Sequence, residues 1–518
     1  MSALVFLAAF GLYLAGASPS IAPRDSADMA SAAFTLGVAH PPGYPLYSVL
    51  GRLWLTVFPW GNPAYRLAVL SCLAAAGAVF FLFLSVRRRH GAWAALTAAA
   101  VLAFSAPLWK FALIQEKYSV HALIVAVLFY LSEGDKEDFW RRARLSGFIA
   151  GLGLVNHQSL LFLLPGFLLL WRAECRRWGA SLSAVLAAAV PWSLAALSLY
   201  AFLWIRLGSL GAALSVALRS QYGAGTLSAQ LARPFTPDGA VRLFGWSLKA
   251  WALAVSVPAA AAAAYGASLS WREDRDRAAG LLLAAVLSGP LFVVLARFDV
   301  SNWVARSVLE PAFLVPALAA AVFAGAAAHR LGRFAPAGLA LAAAALLLRS
   351  PVPERRDDFL AYDYVRNLRR AVPPGGNLLV SGDTALFGLR WLEATSPREA
   401  ALYLSGAGLT DARSWASISS IHGDAFVAGL APGVLAPAGL TPEGLVQRVA
   451  GKPRNPAPVV LRRSASWRRD ESYARDAKLS YAFAAWSSAR LLEARGEVPP
   501  ETLDLTAVAL DPEDYRLE

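Results

Sequence analysis

Charge is scarce in this chain: Asp, Glu, Lys and Arg make up 16% of its 518 residues, while 57% are hydrophobic. With a mean hydropathy of +0.47, that ratio excludes a soluble enzyme built on one ordinary core and describes a polytopic membrane protein. Cysteine is nearly missing. Cys72 lies in an apolar run and Cys175 in the basic stretch RAECRR, so no disulfide framework or cysteine metal cluster is indicated. Also absent are a P-loop, a Rossmann glycine fingerprint, a GxSxG elbow and an HExxH pair, which removes the usual signs of a nucleotide-driven pump or a zinc hydrolase. Acidic residues are outnumbered 35 to 48, giving a net charge of +13. The excess sits in short clusters between apolar runs, as orientation signals do, so the membrane accounts for it and no nucleic-acid partner is implied.

What the chain has in quantity is apolar runs. They lie at approximately 2–18, 63–86, 91–108, 118–132, 145–158, 159–171, 180–205, 246–268, 278–296, 308–328 and 335–349, which predicts about 11 transmembrane helices. No Lys or Arg precedes residues 3–17, so this run is expected to stay as a first span and not to be cleaved as a signal peptide, although its AGA resembles a cleavage site. The clusters RRRH (87–90), DKEDFWRRAR (135–144), RAECRR (172–177), WREDRDR (271–277) and HRLGR (329–333) then fall on one side, predicted to be cytoplasmic. The other side receives a first outer loop at about 19–62, the stretch around KFALIQEKYSV, a long loop from 206 to about 245, the short RFDVSNWVAR, and everything after Leu348. The GLGLVNHQSLL stretch is expected to turn near Asn156 and His157.

From Pro351 prolines and charges become frequent and no run of spanning length remains. The expected architecture is therefore a polytopic α-helical membrane domain, 1–349, followed by a soluble extracytoplasmic domain, 350–518, of mixed α/β or mostly α structure. DDFLAYDYVRNLRRAV and DAKLSYAFAAWSSARLLEARG pattern as helices, and NLLVSGD as a buried strand ending in a turn.

Polar residues on the outer side are the candidate site. Asp25 and Asp28 are spaced to share one face if a helix begins there; they read equally as a helix cap and an acid in the first turn. In HPPGYPLY, Pro41, Pro42 and Pro45 stiffen the backbone while Gly43 permits a turn, presenting His40 and Tyr44 on a rigid frame; a plain turn into a surface helix fits as well. Glu116, Tyr118 and His121 in QEKYSVHAL, with Asn156 and His157, bring polar groups to the membrane surface, where they are costly and tend to line a site. Arg206, Arg219, Arg297 and Arg306 fall at outer membrane ends and suit a phosphate group, or snorkel at the interface. Glu310 follows Arg306 by four residues and is expected to pair with it.

These motifs carry a resemblance. RDSADMASAAFTLGVAHPPGYPLYSVLGRLW is similar to the opening of the transmembrane protein 260-related protein O-mannosyltransferases, a family of the GT-C superfamily of membrane glycosyltransferases. Its pattern has an Asp, two small residues and a Glu ahead of an Ala-rich helix and LGVAHPPGYPLY. Asp25 matches the Asp, and Asp28 stands where Glu is usual. QEKYSVHAL resembles the family's Glu-Val-Tyr segment, with Lys117 in place of an apolar residue; GLGLVNHQSLL its Gly-Asn-His segment; YAFLWIRLG and RSQYGAG, containing Gln221 and Tyr222, its Ile-Arg and Arg-Gln-Tyr-Gly stretches. The likeness covers the first 225 residues or so.

The resemblance implies a GT-C fold and transfer of a sugar, mannose by family, from a polyprenyl-phosphate carrier to a hydroxyl of a protein, lipid or glycan, with inversion. It implies Asp25 as general base assisted by Asp28, Arg219 and Arg306 on the leaving phosphate, and His40, Tyr44, Glu116, Tyr118, His121, Asn156, His157, Arg206, Gln221, Tyr222 and Glu310 lining the substrates. A bacterial inner membrane with an extracytoplasmic active site follows. No cofactor is required by the pattern; two outer carboxylates leave room for a divalent cation, but two ligands do not make a metal site. The competing class is a transporter or flippase, against which stands the lack of an inverted repeat.

Overall fold

The computed structural model describes residues 1–220, 232–332, 355–380, 382–397, 403–405, 425–428, 440–449 and 472–493, with Gly496 and Val498. The chain forms two compact units. The first comprises Met1–Ala17, Gly37–Val57 and Leu67–Glu354, and the second Ser18–Leu36, Phe58–Arg66 and Arg355–Glu518. The first outer loop is thus divided between the units, a partition that composition does not reveal.

Helices run in order as α1 (Ser2–Gly16), α2 (Asp25–Thr35), α3 (Pro45–Val57), α4 (Pro63–Ala103), α5 (Ala106–Ala112), α6 (Lys117–Leu131), α7 (Phe139–Asn156), α8 (Leu160–Trp178), α9 (Leu182–Leu197), α10 (Ala201–Leu207), α11 (Leu210–Ala217), α12 (Pro237–Val255), α13 (Val257–Glu273), α14 (Arg275–Val286), α15 (Phe292–Ala296), α16 (Trp303–Leu309) and α17 (Leu314–Leu331). α4 is two helices joined at Gly91, whose φ of 78° permits the kink. By length and hydropathy alone, four of the described helices can cross a membrane, or five if one bent pair counts as a single span. Helices nevertheless occupy each of the first ten runs predicted from sequence; the run at 335–349 lies outside the described residues.

One run differs from expectation. Residues 246–268 are not a straight span, because α12 and α13 meet at 106° about Ser256, which has φ 75° and caps α13 through the Ala259 amide. The stretch α9–α10 presents Leu186, Val190, Trp192, Leu194, Trp204 and Ile205 outward, an apolar surface that lipid covers.

The tightest helix pairs in the first unit meet on glycine. A Cβ at Gly147 of α7 would lie 2.0 Å from the Ala189 carbonyl oxygen of α9, and one at Gly266 of α13 would lie 1.8 Å from that of Phe323 in α17. Such close approach is how helices associate in lipid, where hydrophobic exclusion gives no help. Gly266→Ala must push two backbones apart and is expected to cost about 1–3 kcal/mol, seen as a lower melting temperature in detergent. Gly11→Ala in α1, where a Cβ meets nothing within 4 Å, is the matched control and should not lower it.

The basic clusters meet at one end of this unit. Glu133 accepts Arg89 at 2.7 Å and pairs with Arg277. Arg89 reaches Asp274 at 2.9 Å, Arg142 reaches Glu174 at 2.7 Å, Arg176 reaches Asp276 at 2.6 Å, and Arg330 reaches Glu273 at 2.7 Å. All five basic segments therefore share one face, and three of them line a cavity of about 520 Å³ there, through Arg89, Glu174, Arg176 and Arg277 among others.

The second unit holds a five-stranded sheet of β1 (Asn377–Val380), β2 (Tyr403–Ser405), β3 (Ala425–Ala428), β4 (Leu440–Glu443) and β5 (Val446–Val449) in the order β2-β1-β3-β5-β4. β1 pairs parallel with β2 and β3 (Leu378 opposite Tyr403 and Phe426), and the β4–β5 hairpin adds antiparallel to β3. Three helices accompany it: α18 (Leu360–Ala371), α19 (Asp383–Thr395) and α20 (Ser472–Glu493). α20 is fixed by Gln447 Nε2 donating to Ser488 Oγ at 2.8 Å and by Tyr481, whose ring lies tilted against that of Tyr364 at 5.0 Å and which pairs with Asn367. Burial raises the Tyr481 hydroxyl above its usual pKa, so it stays a neutral partner. The sheet with its helices makes this unit mixed α/β.

Candidate active site

The polar residues singled out on the outer side gather in the first unit at one end of α6, α7 and α8. Glu116 caps α6 and Lys117 is its first residue. Both are fully buried, with Lys117 Nζ 3.1 Å from Glu116 Oε2. Two charges withdrawn from water are costly even when paired, and such pairs near a membrane mark function more often than stability. The ammonium lies over the rings of Tyr118 at 4.5 Å and Tyr44 at 4.9 Å, a cation–π cradle.

The HPPGYPLY turn supplies the next wall. The Gly43 amide donates to the His40 carbonyl at 2.8 Å, and Gly43 has φ 90°, with Leu203 so close that a Cβ would sit 2.7 Å from it. Tyr44 follows with φ 44°, a left-handed conformation that a bulky residue holds only when its surroundings dictate it. Its ring stacks on His157 at 6.0 Å and meets His40 at 5.1 Å.

The break between α7 and α8 closes the cluster, as the NHQS sequence suggests. His157 Nδ1 lies 2.6 Å from Ser159 Oγ, and its ring faces Tyr118 at 5.4 Å and His121 at 5.5 Å. Asn156 Nδ2 donates to the Lys117 carbonyl at 3.2 Å, while its Oδ1 and the Nδ1 of His121 are buried without a hydrogen-bond partner, two polar atoms that a substrate could satisfy. Gln158 Nε2 donates to the Ala217 carbonyl at 2.6 Å, tying the end of α11, two residues before Arg219, to this cluster. The structure thus joins His40, Tyr44, Glu116, Tyr118, His121, Asn156 and His157, and Arg219 follows two residues after the tethered Ala217. It adds Lys117 and Gln158, whose signal was present: a lysine directly after Glu116 at the start of an apolar helix, and a glutamine in the NHQS break.

Other expected residues fall elsewhere. Arg206, at the end of α10, and Arg306, in α16, are exposed, and Arg297 is a left-handed residue ending α15 (φ 55°). Glu310 pairs with Lys110, not with Arg306: α16 ends at Leu309 and Glu310 opens a 3₁₀ turn, so the helical spacing is lost. Gln221 and Tyr222 lie outside the described residues. Among the described residues no three His, Cys, Asp or Glu side chains converge.

Asp25 and Asp28 stand in the second unit. Asp25 is not the cap of α2 but its first residue, the cap being Arg24 with φ 63° and ψ −132°. Both acids occupy the first turn, where the helix dipole favours them, and Asp28 is 6% exposed. The Asn62 amide donates to the Pro19 carbonyl at 2.7 Å, fastening the two ends of this loop.

The fold is similar to that of ArnT from Cupriavidus metallidurans bound to undecaprenyl phosphate: the two align at a TM-score of 0.59 and 13% identity, over 87% of this chain and 98% of that one. Residues 25–178 match the family model for the protein O-mannosyl-transferase TMEM260 N-terminal domain. The protein O-mannosyl-transferase TMEM260 of Mus musculus is 35% identical over 170 residues, covering 32% of this chain and 24% of its own length. The Dictyostelium discoideum protein of the same description is 28% identical over 183 residues, covering 32% and 22%. The chain therefore spans less than a quarter of the length of these curated relatives, and the matched stretch holds α2, the HPPGYPLY turn and the Glu116–His157 cluster.

Proposed function

We propose that this protein is a membrane glycosyltransferase that moves a sugar, mannose by similarity, from a polyprenyl-phosphate donor to a Ser or Thr hydroxyl of a protein on the extracytoplasmic side. The observation that carries the reading is the fully buried Glu116–Lys117 pair ringed by Tyr44, Tyr118 and His157. The protein O-mannosyl-transferase description of its relatives supports the reaction, and the undecaprenyl phosphate named for the ArnT structure supports the carrier class.

In this reading the acceptor oxygen attacks the anomeric carbon as the bond from that carbon to the phosphate oxygen breaks, inverting the centre. Asp25 takes the hydroxyl proton, with Asp28 shaping its surroundings. Lys117 and Arg219 balance the charge that grows on the departing polyprenyl phosphate. Histidine and tyrosine faces, with the open valences of Asn156 and His121, orient the sugar. Sidedness is supported by helix length: α6 and α7, of 15 and 18 residues, separate this cluster from the arginine-rich face by roughly 22–27 Å, and that face is the cytoplasmic one by charge.

Membranes containing the protein, supplied with radiolabelled polyprenyl-phosphate mannose, should pass label to protein in a form released by alkaline β-elimination. Label recovered in lipid or free glycan would redirect the acceptor. Loss of donor from one leaflet without any new glycosidic bond would favour a flippase and end the enzyme reading.

A further inference from the structure

The stretch VSGDTALFGLRWLE in the second unit has so far no function. Its strand β1 leads through Gly382, at φ 87°, into α19, whose second residue, Thr384, is 3% exposed. The Thr384 hydroxyl accepts the backbone N–H of Arg24 at 3.1 Å, the amide immediately before Asp25. Arg24 is held at φ 63°, which a non-glycine residue keeps only where its surroundings over-determine it. At the far ends of the same two helices the Phe34 and Trp391 rings meet edge to face at 5.9 Å. α2 and α19 therefore lie side by side in the same direction, joined at both ends.

We infer that α19 is the positioning element for the base: Thr384 fixes the strained turn at Arg24 and thereby aims the Asp25 carboxylate, so that a helix far along the chain controls the chemical step. The inference rests on the proposed transfer reaction. Thr384 touches neither sugar nor phosphate in it; it acts through Asp25. A loss of aim of order 1 Å is enough to slow a reaction about 100-fold.

The test uses the full-length protein in nanodiscs, as wild type, Thr384→Val and Thr384→Ser. Valine keeps the shape and removes the acceptor, whereas serine keeps the acceptor. The expected result is a roughly 10- to 100-fold lower kcat for Thr384→Val with KM for the lipid donor unchanged, near-normal turnover for Thr384→Ser, and faster hydrogen exchange at Arg24–Asp28 in the valine variant alone. Unchanged exchange in Thr384→Val overturns the inference, and so does faster exchange with unchanged kcat. If the wild type transfers no sugar from any lipid-phosphate donor, the functional reading falls, and Asp25 with it as a base to be aimed. The exchange arm tells that failure apart, because it decides whether Thr384 holds the turn without reference to activity.

Discussion

Asp25→Asn is expected to leave a folded protein that transfers sugar about 10²- to 10⁴-fold more slowly than wild type, the range that a positioned general base contributes. Asparagine matches aspartate in size and keeps the hydrogen-bonding oxygen, but it cannot accept the acceptor's proton. The variant loses the interaction with the helix dipole at the first turn of α2, typically about 0.3–1 kcal/mol, and a melting temperature measured beside the rates separates lost chemistry from lost folding. Asp28→Asn makes the contrast. Asp28 is buried, and its variant should retain more activity than Asp25→Asn. The opposite order in initial rates at matched protein level would exchange the two assignments.

Lys117→Met should be damaging in two separable ways. Breaking a buried ion pair by removing one partner costs about 3–5 kcal/mol, and Lys117 and Glu116 are both fully buried. If Lys117 also holds the donor phosphate, a charge-assisted hydrogen bond worth about 1.5–3 kcal/mol disappears, weakening polyprenyl-phosphate binding roughly 10- to 100-fold. The double variant Glu116→Gln/Lys117→Met separates the two effects, because it removes both charges together. It should recover much of the melting temperature and none of the donor affinity. Recovery of both would reduce the pair to a structural role.

Much of this arrangement was legible in the sequence because it depends on local chemistry. The break at Asn156–Ser159 follows from polar residues interrupting an apolar run, the His40–Tyr44 frame from its prolines and glycine, and the shared face of the arginine clusters from charge bias; the ion pairs around Glu133 then join them. What escaped depends on geometry beyond the helix period. Hydropathy reads 246–268 as one run, yet Ser256 with Pro258 in the first turn of α13 is a start signal for a new helix. The expected Arg306–Glu310 pair assumed a helix that ends one residue too early to make it. Lys117 was visible but read as a departure from pattern, because no linear motif shows that Tyr44 and Tyr118 will close over its ammonium. The link from Thr384 to Arg24 spans 360 positions and leaves no trace in periodicity or composition.

The most direct test of the central claim uses the purified full-length protein in liposomes with radiolabelled polyprenyl-phosphate mannose and an acceptor protein, measuring glycosidic product and released polyprenyl phosphate together. Wild type should form the two in equal amounts, and Asp25→Asn should form almost none of either. Failure of wild type to form product with mannose or any other lipid-phosphate sugar, or equal product from Asp25→Asn, would contradict the account.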